Sequence, residues 1–310
     1  MNAIESTTET DESDPGKETL AEMEIETSEK LTVYDSGSEI RDPVRLFKNI
    51  YADFLEGREL GWRLFLRNLR GLYRQTALGL FWAFLPPVAN TAIWVFLRRQ
   101  GVFNIGGGME VDGTVYILTG MILWQTFVEA FQMPMKIVTQ NRSMISKLRF
   151  PRESLLLVGL GEILFDLAIR CLLLIPAFLY FQVVPGPMLL VAIPLAILMI
   201  LFASGLGMLL MPVGSLYQDV GRFISMVMPF WMIITPIIYV ASTGFWGQLM
   251  VWLNPAAPLL VLSRDLILLG DSPFWLPGML VAAVAIPIFM FGLAVFRISI
   301  PVIVERMQAF

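Results

Sequence analysis

The chain has 310 residues, 56% of them apolar and only 15% charged, where an ordinary soluble domain carries roughly a quarter charged; this composition argues against a soluble enzyme and for an integral membrane protein. The formal net charge of -4 conceals a division, since residues 1–42 hold 13 acidic and 3 basic side chains and the remainder holds 13 acidic and 19 basic. There is no histidine, which removes histidine-based catalysis and most metal sites, and the single cysteine, Cys171, excludes an intramolecular disulfide.

Residues 1–42 are polar, acidic and nearly free of aromatics. They cannot bury enough surface to offset the entropy of ordering, so a disordered tail is expected. Without a basic start, an apolar middle and a small-residue cleavage site, the tail does not read as a signal peptide and is expected to stay in the cytoplasm. Residues 43–76 are basic and amphipathic: Arg63, Arg67, Arg70 and Arg74 fall on one face, beside Leu64, Phe65, Leu69 and Leu72. Too charged to span and too apolar for water, this segment predicts an interfacial helix with its arginines near lipid phosphates. The simpler alternative is a juxtamembrane segment that only sets topology.

Residues 77–310 form the expected membrane domain. Six apolar segments have the length of a span, near 77–97, 115–135, 155–181, 188–213, 223–240 and 275–296. With the N-terminus inside, Lys and Arg outside these segments divide 16 to 3 in favour of the cytoplasmic side, so both termini are expected in the cytoplasm of a multi-pass inner-membrane protein. Prolines at 86, 87, 176, 194, 212, 229, 236 and 287 predict bends or breaks, tolerable only where neighbours or a wet cavity satisfy the freed carbonyls. No internal repeat is visible, which weakens an inverted-repeat transporter.

Two loops carry more pattern than a connection needs. Residues 136–152, KIVTQNRSMISKLRFPR, mix five basic residues with Ile137, Met144, Ile145, Leu148 and Phe150, and suit docking of a soluble partner; a plain positive-inside loop is the alternative. Residues 241–274 are neither polar nor a continuous span, and Asn254-Pro255 and Gly270-Asp271 cut them into two short apolar pieces. These are expected to be re-entrant or interfacial helices capping the outer mouth of a pathway, or else a loop at the membrane surface.

In the third segment Glu162, Asp166 and Arg170 share one helical face. Intramembrane charge is costly, and two roles are open: a structural pairing, with Asp166 held locally by Arg170, or a proton relay in a proton-coupled secondary transporter. In the second segment Tyr116, Gly120, Trp124, Phe127 and Phe131 form one stripe, which could stack on sugar rings or simply pack. None of the lysines at 17, 30, 48, 136 and 147 is followed by Ser or Thr, so the phosphate-cradling GxxxxGK[ST] loop is absent and any ATPase must be another chain.

Taken in order, Leu66-Arg67, Tyr73-Arg74, Leu78-Gly79, Trp82 and Leu85-Pro86, then Tyr116, Gly120 and Trp124 to Phe127, are followed by Asn141, Lys147 and Phe150-Pro151. Gln218-Asp219-Val220, Asn254-Pro255 and Glu305-Arg306 complete the series. Over residues 45–310 this pattern resembles the membrane subunits of ABC exporters for O antigen, capsular polysaccharide and teichoic acid. Departures are the acidic tail and Gln218, where a basic residue is expected. The resemblance implies an all-α integral membrane protein with six transmembrane helices per subunit, an N-terminal amphipathic interfacial helix and short re-entrant helices between spans five and six. It implies no enzyme activity in this chain, a homodimer, and a separate ABC ATPase dimer holding the ATP and Mg. That ATPase would dock at Asn141, Lys147, Arg149, Phe150 and Pro151. The cargo would be a lipid-linked glycan moving through a channel lined by Trp82, Tyr116, Trp124, Phe127 and Phe131, its phosphates admitted beside Arg63, Arg67, Arg70 and Arg74. Nucleic acid is not an expected partner. An exporter of the same architecture for a drug or small lipid is the nearest alternative.

Overall fold

The computed structural model describes residues 43–74, 81–101, 111–147 and 150–308; the acidic tail lies outside them. Among the described residues the regular structure is helical throughout, in the order α1 (Pro43–Arg74), α2 (Phe81–Arg99), α3 (Gly113–Gln140), α4 (Arg142–Lys147) and α5 (Glu153–Tyr180). There follow α6 (Leu189–Leu216), α7 (Gln218–Ile234), α8 (Phe245–Leu253), α9 (Ala257–Leu268) and α10 (Trp275–Gln308).

Four helices, α3, α5, α6 and α10, are long and apolar enough to cross a membrane, and the pair α8 and α9, bent by 112° at Asn254 to Ala256, makes a fifth if counted as one span. By length and composition, the described residues thus account for four or five spans. Helix α2 has 19 residues, carries Pro86 and Pro87 and ends on Arg98 and Arg99. Helix α7 has 17 residues and stops at Ile234, six residues short of the expected end. The cause is local: Pro236 has no N–H to continue the ladder, and the Thr235 hydroxyl turns back to donate to the Trp231 carbonyl at 2.8 Å.

The other prolines do not break their helices. Helices run through Pro134, Pro176, Pro194, Pro212, Pro229, Pro287 and Pro301. At Gly207 of α6 an added Cβ would run into the Phe131 carbonyl, and would lie 3.2 Å from Pro134 Cδ, so α6 and α3 meet backbone to backbone beside that proline. The same device joins α6 to α10, where a Cβ on Gly292 would stand 2.8 Å from the Gly205 carbonyl oxygen. Without a hydrophobic force between helices in lipid, small residues at such crossings let dispersion contacts hold the bundle.

Helix α9 sits innermost. Every residue from Ala257 to Leu268 is buried, and it packs among α3, α6 and α10. Apolar side chains on the outside of α5, α6 and α7, such as Leu172, Ile175, Leu190, Phe223 and Phe230, present the surface that lipid requires.

Helix α1 lies against α5, and the two run in the same direction. Asp53 is joined to Glu153 through Arg297 of α10, which donates to Asp53 Oδ2 at 2.6 Å and Glu153 Oε1 at 2.9 Å. One helical turn on, Gly57 abuts Ser154, Gly61 abuts Leu157, and Phe65 lies on Gly161. Asn68 closes the series by donating to Glu162 Oε1 at 2.9 Å. Gly57 and Gly61 are the small residues that allow this approach.

Candidate functional site

The expected functional residues fall into four places. On α1, Arg63, Arg67 and Arg70 are exposed on the face away from α5. Arg63 is partly neutralised by Glu59 at 2.6 Å, and Arg67 donates to the Asn68 side-chain oxygen at 3.3 Å. The side chains of Arg74 and of Trp82 lie outside the described residues, and so does Arg149.

The loop between α3 and α5 is built around Asn141. Its side chain donates to the Ile137 carbonyl at 2.9 Å and caps α3, while its own carbonyl accepts the Ile145 N–H at 2.9 Å and starts α4. Arg142 then donates to the Ser215 carbonyl at 2.6 Å, tying α4 to the end of α6. Lys147 is exposed, whereas Phe150 and Pro151 are half-buried, with Phe150 packed on the core. Helix α4 is therefore anchored at its start through Asn141 and Arg142, with Lys147 exposed at its end.

The aromatic stripe is packed inside the chain. Tyr116, Trp124, Phe127 and Phe131 are all buried. Trp124, Phe127 and Phe131 stack in sequence along α3, and Trp231 of α7 meets each of the three edge-on. Tyr116 lies under the Arg264 guanidinium, 3.8 Å from the ring centroid. Within this chain these rings meet other helices; helical periodicity places rings on one face without saying whether that face meets open space or another helix.

The intramembrane charges are also arranged differently from the local pairing expected. Arg170 does not turn to Asp166. It reaches α3 and donates through both terminal nitrogens to Glu129, at 2.5 and 2.8 Å. Glu162 is taken by Asn68 of α1. Glu162 thus faces α1 and Arg170 faces α3, and the cross-helix partner Glu129 escaped notice, although a lone carboxylate in an aromatic segment was itself a signal.

Toward the other end, Asn254 at the bend ties α8 and α9 to α7. It accepts from the Trp231 indole at 2.8 Å and from the Ala256 N–H at 3.1 Å, and donates to the Thr235 hydroxyl at 2.8 Å. Arg264 donates to the Pro236 and Ile237 carbonyls at 2.7 and 3.1 Å. Arg264 belongs, with Arg98 and Arg99, to the minority of three basic residues in the charge count. In the turn before α10, Asp271 accepts from the Trp275 indole and the Ser272 N–H, which hold its carboxyl below the usual carboxylate range.

The ABC-2 type transporter family matches residues 59–268, from the middle of α1 through the whole of α9. The chain belongs to that family. Among curated proteins, this ABC-2 chain is 25% identical to an O-antigen export system permease protein RfbA of Klebsiella pneumoniae over 238 residues, 72% of this chain and 88% of the relative. It is 23% identical to the protein of the same name from Myxococcus xanthus over 265 residues, 82% of this chain and 96% of the relative. An ABC-2 assignment and long apolar helices make it a multi-pass membrane protein of transport type.

Proposed function

We propose that this chain is the transmembrane subunit of an ATP-driven exporter that moves a lipid-linked polysaccharide, of O-antigen type, from the cytoplasmic to the outer face of the inner membrane. The observation that carries the reading is near full-length similarity to permeases named for O-antigen export, 96% of one relative being covered, together with the ABC-2 match. In this reading two copies form the channel, six segments of each cross the membrane with both termini in the cytoplasm, and α8 and α9 enter and leave from the outer side. Hydrolysis takes place on a separate ATPase dimer, which holds the ATP and Mg and docks on the loop 136–152. Supporting that contact are the exposed Lys147 and the anchored helix α4, because a rigid short helix can transmit a push that a floppy loop would absorb.

The substrate face remains a proposal about chemistry. Exposed Arg63, Arg67 and Arg70, with Arg74 beyond, form a cationic row suited to the phosphates of a lipid-linked glycan. The test is deletion of the gene in the source organism: surface glycan should vanish while its lipid-linked precursor accumulates in the cytoplasmic leaflet, and both should recover on complementation. Normal surface glycan in the deletion strain would overturn the reading in favour of a drug or small-lipid cargo.

A further inference from the structure

Arg264 is the largest side chain with no exposed surface, at 0%. A guanidinium so placed is costly unless its donors are satisfied. Asp265 alone does not suffice: its Oδ1 stands 3.4 Å from Arg264 Nε, and its Oδ2 is taken by the Ser272 hydroxyl at 2.9 Å. The short bonds go instead to the Pro236 and Ile237 carbonyls. Those oxygens are free because α7 has just ended, so the broken helix and the buried cation satisfy each other.

Three further features converge on the same elbow, residues 235–237. The Tyr116 ring lies under the guanidinium at 3.8 Å, a geometry in which the ring's negative face attracts the cation. Gly120, one turn along α3, leaves room for the elbow, since a Cβ there would lie 3.0 Å from the Ile237 oxygen. Asn254 holds Thr235 from the other end of α9. The bend before α9 and the second half of α9 thus both hold the elbow, through Asn254 and through Arg264.

We propose that Arg264, seated on Tyr116, is the latch that holds α9 against the elbow at 235–237 and so keeps the outer end of the membrane domain closed. The proposal rests on the reading of the bent pair as the outer closure of an export path. Tyr116 then serves the gate through its π face and has no sugar to stack on. Arg264 is a positioning residue: it acts by holding a helix, away from the cargo.

The test uses the full transporter with its ATPase, in membranes, in a Cys171→Ser background. Ser263→Cys on α9 and Ser215→Cys at the far end of α6 are the reporters, both buried in the parent. Their reaction with N-ethylmaleimide is timed without cargo or nucleotide. Arg264→Gln and Tyr116→Leu should each speed labelling of Ser263→Cys about 10-fold or more through local opening, with Ser215→Cys unchanged. Tyr116→Phe keeps the ring and should keep the parent rate. If Arg264→Gln does not reach the membrane, Tyr116→Leu decides the matter, because it leaves the cation and both carbonyls in place. Unchanged protection of Ser263→Cys would overturn the latch, as would a parallel rise at both reporters, which would mark general loosening. Labelling needs no cargo, so a selective rise in a protein that exports no glycan would sustain the latch while dismissing the proposed substrate.

Discussion

Arg170 of α5 and Glu129 of α3 lie 41 residues apart in the chain and near the middle of their helices, yet they meet through two hydrogen bonds of 2.5 and 2.8 Å. Arg170 is buried while Glu129 keeps part of its side chain exposed, and a charge in a low-dielectric setting is costly without an opposite one beside it. The pair therefore fixes the rotation of both helices and their relative height.

Reversing either partner alone, Glu129→Arg or Arg170→Glu, is expected to cost about 3 to 5 kcal/mol by stranding the buried partner. The double reversal should recover most of that loss, read as thermal stability of the purified protein and its yield in the membrane. Exchanging Asp166 and Arg170 should recover nothing, because the cation that Glu129 needs would be gone from its place. Losses that simply add in the Glu129/Arg170 double reversal would show that the pair is not coupled.

For the aromatic stripe, Phe127→Ala removes a fully buried ring that touches Trp124, Phe131 and Trp231. A cavity there should cost about 3 to 5 kcal/mol, and export should fall only in proportion to folded protein. A stable Phe127→Ala protein with a specific transport defect would return the stripe to the pathway.

The α1 contact is open to overpacking. At Gly57 a side chain would strike the Ser154 hydroxyl, and at Gly61 a Cβ would stand 3.2 Å from the Ser154 carbonyl. Gly57→Leu and Gly61→Leu should each destabilise the docked arrangement by about 1 to 3 kcal/mol and expose α1 to limited proteolysis, with α3 and α6 still protected. Protease resistance equal to the parent would mean that α1 accommodates the added bulk.

At the loop, Lys147→Glu should reduce copurification of the ATPase without altering the thermal stability of the permease, since that side chain is exposed. Arg142→Ala should act differently. It frees α4 from the Ser215 carbonyl, so the ATPase should still copurify while hydrolysis no longer drives export. Full coupling in the Arg142→Ala transporter would place the transmission elsewhere.

Much of the architecture is written in local pattern. The four long spans correspond to four of the six apolar segments, α1 follows the 3.6-residue period of its arginines, and the Asn254-Pro255 break falls at the bend between α8 and α9. What local pattern does not carry is the rotation of one helix against another. A face can be read from Glu162, Asp166 and Arg170, but the partner across that face depends on a packing angle that no single helix encodes. For this reason Arg170 was given the neighbour four residues away instead of Glu129. Arg264 shows the same limit: its worth depends on carbonyls freed 27 and 28 residues earlier, by the end of another helix. Prolines show the limit too: breaks are open at Pro176, Pro194, Pro212, Pro229 and Pro287, yet the helices continue through all five.

The clamp of Asp53, Arg297 and Glu153 also sets an order of biogenesis. Arg297 is made 244 residues after Asp53, and at about 5 to 20 residues per second the delay is roughly 12 to 50 s. Throughout it α1 has left the ribosome without its partners, and its basic, amphipathic character lets it wait at the membrane surface. Gly57, Gly61 and Asn68 can meet α5 as soon as that helix is inserted, but the clamp closes only when α10 follows, so the seat of the first described helix is completed late.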